Sequence, residues 1–144
     1  MIHQLMDGIV QVISSAWPLE PVYTEGVEQG FEEPSSSVRV VTLEEDRKLG
    51  DRFLRTCLIE VLHFPAPGDE PKLAAMSRAE RLLEMLELIT APNGDLYRGK
   101  GLQYVIQDNV LVFTVRYTYY VLRGQEPLDP MEALEQTRRV EDGK

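Results

Sequence analysis

The chain has one cysteine and two histidines in 144 residues, and each shortage closes off a class of chemistry. A single thiol, Cys57, cannot form an intramolecular disulfide, which suits a reducing compartment. His3 and His63 are the only imidazoles, so a zinc site would need Cys57 and carboxylates gathered from distant segments. No spacing in the sequence supports one. Cys57 and His63 are no thiolate–imidazole dyad, because six residues of strand separate them by roughly 20 Å at ~3.3 Å per residue. Cations are also scarce: 15 Lys and Arg stand against 24 Asp and Glu, a formal net charge of −9. That balance argues against a general binder of phosphate backbones, which needs clustered Lys and Arg. Nothing approaches the ~20 apolar residues of a membrane span, so no membrane partner is expected. The N-terminus lacks a basic stretch ahead of an apolar run and does not read as a signal peptide.

What is present is an ordinary globular composition, 43% hydrophobic and 27% charged, enough for one domain with one sizeable core. Ile2, Leu5, Met6, Ile9, Val12, Ile13, Ala16 and Trp17 recur at three- and four-residue spacing and predict an amphipathic helix. Pro18 ends it, because the residue before a proline is pushed out of the α region. Pro21 to Glu25 reads as a short strand, and Gly26 to Pro34 as an irregular acidic loop, either a ligand-binding loop or a solvated connection with Phe31 tucked inward. Ser37–Leu43 and Arg52–Phe64 are β-rich. The charged stretch Glu44-Glu45-Asp46-Arg47-Lys48-Leu49-Gly50 between them predicts a hairpin whose tip or arm projects into solvent. Neither strand alternates cleanly, which implies a sheet covered at least partly on both faces, one of them by a neighbouring subunit.

Pro67–Pro71 predicts a turn into a second helix, whose buried stripe is read as Leu73, Met76, Ala79, Leu83, Leu86 and Ile89 before Ala91–Gly94 stops it. Leu102–Gln107 and Val110–Leu122 flank Asp108-Asn109, a two-residue hairpin turn. In the last strand Leu111, Phe113, Val115, Tyr117, Tyr119 and Val121 share the core face. Thr114, Arg116 and Thr118, with Tyr120, make a face that is either solvated or set in a polar interface. After a linker, Asp129-Pro130-Met131-Glu132 reads as a helix start, and residues 125–144 as a tail or short helix apart from the main domain of residues 1–124. The expected fold class is α+β: a mainly antiparallel sheet packed with two helices.

Two resemblances to catalytic motifs fail on chemistry. Gly94-Asp95-Leu96-Tyr97-Arg98-Gly99-Lys100-Gly101 imitates a phosphate-binding loop, but Gly101 replaces the hydroxyl residue and no helix follows to receive the phosphates. The stretch is read as a turn. Glu32-Glu33 and Glu44-Glu45-Asp46 are sequence neighbours with diverging side chains, poor material for a paired acid and base. No active site, metal site or cofactor site is read, and the chain is expected not to be an enzyme.

Several pieces together are similar to one known family. They are the first helix, Tyr23-Thr24-Glu25, Val27-Glu28-Gln29-Gly30-Phe31 with Pro34, Leu49-Gly50-Asp51-Arg52-Phe53, the strand Leu58 to Pro65, and Gly94-Asp95-Leu96 with Arg98-Gly99. The chain resembles the bacteriophage tail terminators, also called tail-completion or tail-to-head joining proteins, over all but about its last twenty residues. The resemblance implies a structural protein of the virion tail, assembled in the host cytoplasm, that forms a hexameric ring on the last ring of the tail tube. Its implied partners are copies of itself, the tube protein and a head-completion or connector protein, with DNA passing through without tight binding. Glu44, Glu45, Asp46, Arg47 and Lys48 are the candidate contacts to a neighbouring subunit or to the tube, the alternative being a solvated hairpin tip. Loop carboxylates such as Glu28, Glu32, Glu33 and Asp95 are candidates for an acidic bore. A small acidic binding module, or another phage assembly factor without a capping role, is the competing reading.

Overall fold

The computed structural model describes residues 2–24, 32–68 and 70–123. Two helices and six strands follow one another as α1 (Ile2–Ala16), β1 (Val22–Tyr23), β2 (Ser35–Arg47), β3 (Arg52–Phe64), α2 (Pro71–Met85), β4 (Leu88–Thr90), β5 (Leu96–Gln107) and β6 (Val110–Leu122). The strands form one sheet in the order β1-β2-β3-β6-β5-β4. β1 runs parallel to β2, while β4/β5 and β5/β6 are antiparallel. The fold class is α+β, as the sequence predicts. Asp129–Glu132 and the rest of the tail lie outside the described residues, as does most of the acidic loop, Phe31 included.

The chain divides into two compact units, Met1–Glu44 with Thr56–Thr118 and Glu45–Arg55 with Tyr119–Lys144. The larger unit holds both helices. α1 packs on β4 and β1, and α2 on β5. Leu5, Ile9 and Ile13 from α1 meet a core built from alternate residues of the strands: Cys57, Ile59 and Val61 on β3, and Leu111, Phe113, Val115 and Tyr117 on β6. Period-2 burial of this kind places one face of the sheet under the helices. The Tyr117 hydroxyl reaches across to donate a 2.6 Å hydrogen bond to the Leu86 carbonyl just past the end of α2.

Three expectations are corrected. α2 buries Ala75, Ala79, Leu82 and Leu86, leaving Leu73, Met76 and Leu83 exposed. The buried stripe keeps the predicted Ala79 and Leu86 but takes Ala75 and Leu82 in place of their neighbours Met76 and Leu83. Reading by bulk passed over Ala75, which is 4% exposed. The helix also ends at Met85, so Ile89 is buried from β4. The Gly94–Gly101 stretch is a turn only as far as Asp95, because β5 begins at Leu96. Gly99 sits there under packing pressure: a Cβ would stand 2.7 Å from Val115 Cγ2 and 2.8 Å from the Leu86 carbonyl oxygen. Gly101, at φ +62°, occupies the register shift between Lys100 and Gln103. This bulge inserts one residue and swaps the faces, so that Tyr104 stands opposite Phe113 while Val105 pairs with Val112 on the far face. Finally, Glu44–Arg47 continue β2 as strand, and the connection itself shrinks to residues 48–51. The Asp108-Asn109 turn is as predicted, with φ of 52° and 64°, the left-handed pair that a tight hairpin needs.

Candidate subunit-contact surfaces

The smaller unit is the end of the β2–β3 hairpin together with the end of β6. Its described residues carry five cations, Arg47, Lys48, Arg52, Arg55 and Arg123, against three carboxylates, Glu45, Asp46 and Asp51. In a chain of net charge −9 this end is locally basic. The Phe53 ring is buried between two guanidinium groups, Arg123 at 4.0 Å and Arg47 at 4.8 Å from its centroid. On the other side Arg52 lies 4.7 Å over the Tyr120 ring. Glu45 accepts from Arg55 Nη2 at 2.7 Å and Nε at 3.1 Å, and also from Arg123. The Arg55 pKa is raised further, chiefly by the hydrogen bond to Glu45 and also by Tyr119. The Arg123 amide donates to the Asp51 carbonyl at 3.0 Å, tying β6 to the turn. Leu49, Asp51, Arg52 and Leu122 line an open hollow of about 340 Å³.

The five predicted contact residues therefore play different parts. Glu45 is half-buried and committed to two arginines, and Arg47 is spent on the Gly50 carbonyl at 2.9 Å and on Phe53. Glu44, Asp46 and Lys48 are exposed. The reading from sequence missed Arg52, Arg55 and Arg123. The signal was the Arg52-Phe53-Leu54-Arg55 run, which places alternate faces of one strand beside cations; only the pairing of β3 with β6 brings Arg123 to it.

In the larger unit the sheet face turned away from the helices is mixed. Val41 and Val105 are exposed, at 42% and 54%; Leu58, Leu62 and Val112 are half-buried. Arg39 on β2 pairs with Glu60 on β3 at 2.6 Å in their midst. Of the bore candidates, Glu28 lies outside the described residues, while Glu32, Glu33 and Asp95 are exposed.

On the helix side lies a buried polar cluster. Arg78 of α2 stacks 3.9 Å over the Trp17 ring and donates to Glu20 at 2.9 Å. Glu20 Oε1 approaches His63 Nδ1 at 3.9 Å, and Ser36 Oγ stands 3.5 Å from the same nitrogen. Burial pushes the His63 pKa down to about 4, with the Arg78 charge adding to the effect and a hydrogen bond to the Ser35 backbone opposing it. The Glu20 carboxylate is already matched by Arg78, so its contact with His63 is between a neutral ring and a paired anion. The Ser36, His63 and Glu20 set is not a relay, since hydroxyl and carboxylate converge on one ring nitrogen and the ring is 4% exposed. Among the described residues no group of three or more His, Cys, Asp and Glu is placed to hold a metal ion, and no helix is long and apolar enough to cross a membrane.

The family model described as phage tail terminator protein matches residues 4–129. The chain belongs to that family. The match spans the helices, every strand and both surfaces described above. No curated protein matches closely enough to add a relative. Membership makes the protein a structural component of the phage tail.

Proposed function

We propose that this terminator assembles as a homohexameric ring on the end of the tail tube, stops tube growth and presents its other side to the head connector. Assembly takes place in the host cytoplasm. The observation that carries the reading is the one-sided sheet: helices cover one face, and the other leaves Val41 and Val105 exposed among half-buried leucines and valines. An isolated copy has nothing of its own to complete that face among the described residues. The hairpin end supplies a second contact, in which Glu44, Asp46 and Lys48 meet opposite charges on the next copy or on the tube and set register more than affinity. Arg52 and Tyr120 join them.

DNA passes through the ring without tight binding. A net charge of −9 per copy, repeated around a ring, repels phosphate, and a lining of carboxylates such as Glu28, Glu32, Glu33 and Asp95 lets the genome slide. Mass measurement by light scattering, run with and without tube protein, tests the assembly. The expected result is tubes of fixed length bearing a hexamer at one end; tubes that grow on in the presence of the protein refute the capping role. A mobility-shift titration at low salt tests the bore, and tight duplex binding by the protein alone refutes it.

A further inference from the structure

Among the described residues the two long edges of the sheet are only partly paired. At one side β1 pairs with β2 only at Ser36 and Ser37, and at the other β4 pairs with β5 only from Leu96 to Arg98. Among the described residues no strand pairs with the outer edge of β2 beyond Ser37, or with that of β5 beyond Arg98. Natural edge strands are usually protected by lysines, prolines or inward-pointing charges. The β5 stretch Gly101-Leu102-Gln103-Tyr104-Val105-Ile106-Gln107 has no charge and no proline. In Val38–Leu43 of β2 the one charge, Arg39, is neutralised by Glu60 of β3. A seven-residue uncharged β segment on a free edge is a template for pairing with another chain.

The directions of the unpaired amides can be read off. The Ser36 N–H points away from β3, to the Pro21 carbonyl at 3.0 Å. Amides alternate along a strand, so that of Val38 points outward too; by the turn the sense has reversed, since the Lys48 N–H donates inward to the Arg52 carbonyl at 2.8 Å. In β5, Gln107 and Val110 close a two-residue turn. Such a closing pair exchanges its hydrogen bonds with each other, which leaves Leu102, Tyr104 and Ile106 facing outward. The edges also run oppositely. β3 returns from β2 through a short turn, Thr56 and Cys57 face Thr118 and Tyr117 in antiparallel sequence, and β5 is antiparallel to β6.

We infer that the edge of β5 in one copy pairs antiparallel with the edge of β2 in the next, so that the sheets join into one continuous sheet around the ring. Neighbours related by rotation about an axis along the strands keep their strand directions, and β5 then meets β2 in the antiparallel sense. The contact is head-to-tail, the kind that closes into a ring or runs on as a filament. The free stretches lie at different heights, towards the β2–β3 turn on β2 and towards the β5–β6 turn on β5. Pairing therefore needs the stagger that tilted strands acquire in a closed barrel. This inference rests on the ring reading and adds its hydrogen-bonded joint.

Amide hydrogen exchange of the full chain, alone and assembled on tube ends, tests it. The amides of Val38, Leu102, Tyr104 and Ile106 are expected to exchange freely in the isolated chain and to slow by at least about tenfold on assembly. Ile106→Pro, which removes an outward amide from the free stretch of β5, is expected to leave the fold intact by circular dichroism and to abolish assembly. Rings that leave either edge unprotected overturn the edge pairing while the ring stands, and so does protection of these amides already in the isolated chain. Open filaments with both edges protected support the pairing and overturn the closed ring. No assembly with tube ends overturns both.

Discussion

Between pH 7 and 5 one buried group makes stability depend on pH before the ordinary carboxylates begin to protonate, and that group is His63. Its folded-state pKa is about 4 against a reference of 6.5, because the ring is 4% exposed and Arg78 lies beside it. Below pH 6.5 the unfolded chain takes up a proton that the folded chain refuses. The contribution is thus fully present above pH 6.5 and is lost progressively as the pH falls to about 4, after which both states are protonated. The whole displacement, from 6.5 to about 4, corresponds to about 3 kcal/mol at 298 K. Carboxylates titrate near ~4, so the interval down to pH 5 isolates His63 and should cost roughly 2 kcal/mol, or about 4–8 °C of melting temperature at this chain length. Urea unfolding at pH 7, 6 and 5, with the denaturant slope held as a check on two-state behaviour, measures it. His63→Gln gives the control, lowering stability at pH 7 but flattening the pH dependence. A wild-type midpoint unchanged from pH 7 to 5, or an equal fall in His63→Gln, refutes the reasoning.

Gly99→Ala should cost about 1–3 kcal/mol, because the added methyl would meet the Leu86 carbonyl and Val115; calorimetry reads it as a lower melting temperature. Tyr117→Phe leaves the buried Leu86 carbonyl without its 2.6 Å donor and should cost about 1–3 kcal/mol in chemical denaturation. The swap Asp46→Lys with Lys48→Glu alters exposed residues and should move stability by no more than about 0.5 kcal/mol while impairing tube capping; unimpaired capping makes the hairpin end a solvated tip. Phe53→Ala removes the ring held between Arg47 and Arg123 and should cost about 3–5 kcal/mol, seen as early unfolding.

The sequence by itself determined the elements whose signals are local. The period of Leu5, Ile9 and Ile13 set the first helix, Pro18 lies just past its end, and the alternation from Leu111 to Val121 set the last strand. Asp108-Asn109 set the hairpin turn, because two adjacent left-handed residues are a property of the residues themselves. The resemblance carried by the Tyr23–Phe31 and Leu49–Phe53 pieces named the family correctly. Only the tertiary structure decided that Ala75 and Leu82 of α2 are buried where Met76 and Leu83 are expected, since adjacent stripes of that helix carry comparable apolar side chains. It also decided that Glu44–Arg47 belong to a strand, where cross-strand pairing with Arg55 outweighs the polar character of the run. The faces of β5 were hidden because one bulge at Gly101 inverts every residue after it. The basic end and the free edges were hidden for a common reason: Arg123, Phe53 and Glu45, and likewise the outer amides of β2 and β5, take their meaning from which strand lies beside which, and pairing between distant segments leaves no periodic trace in either one.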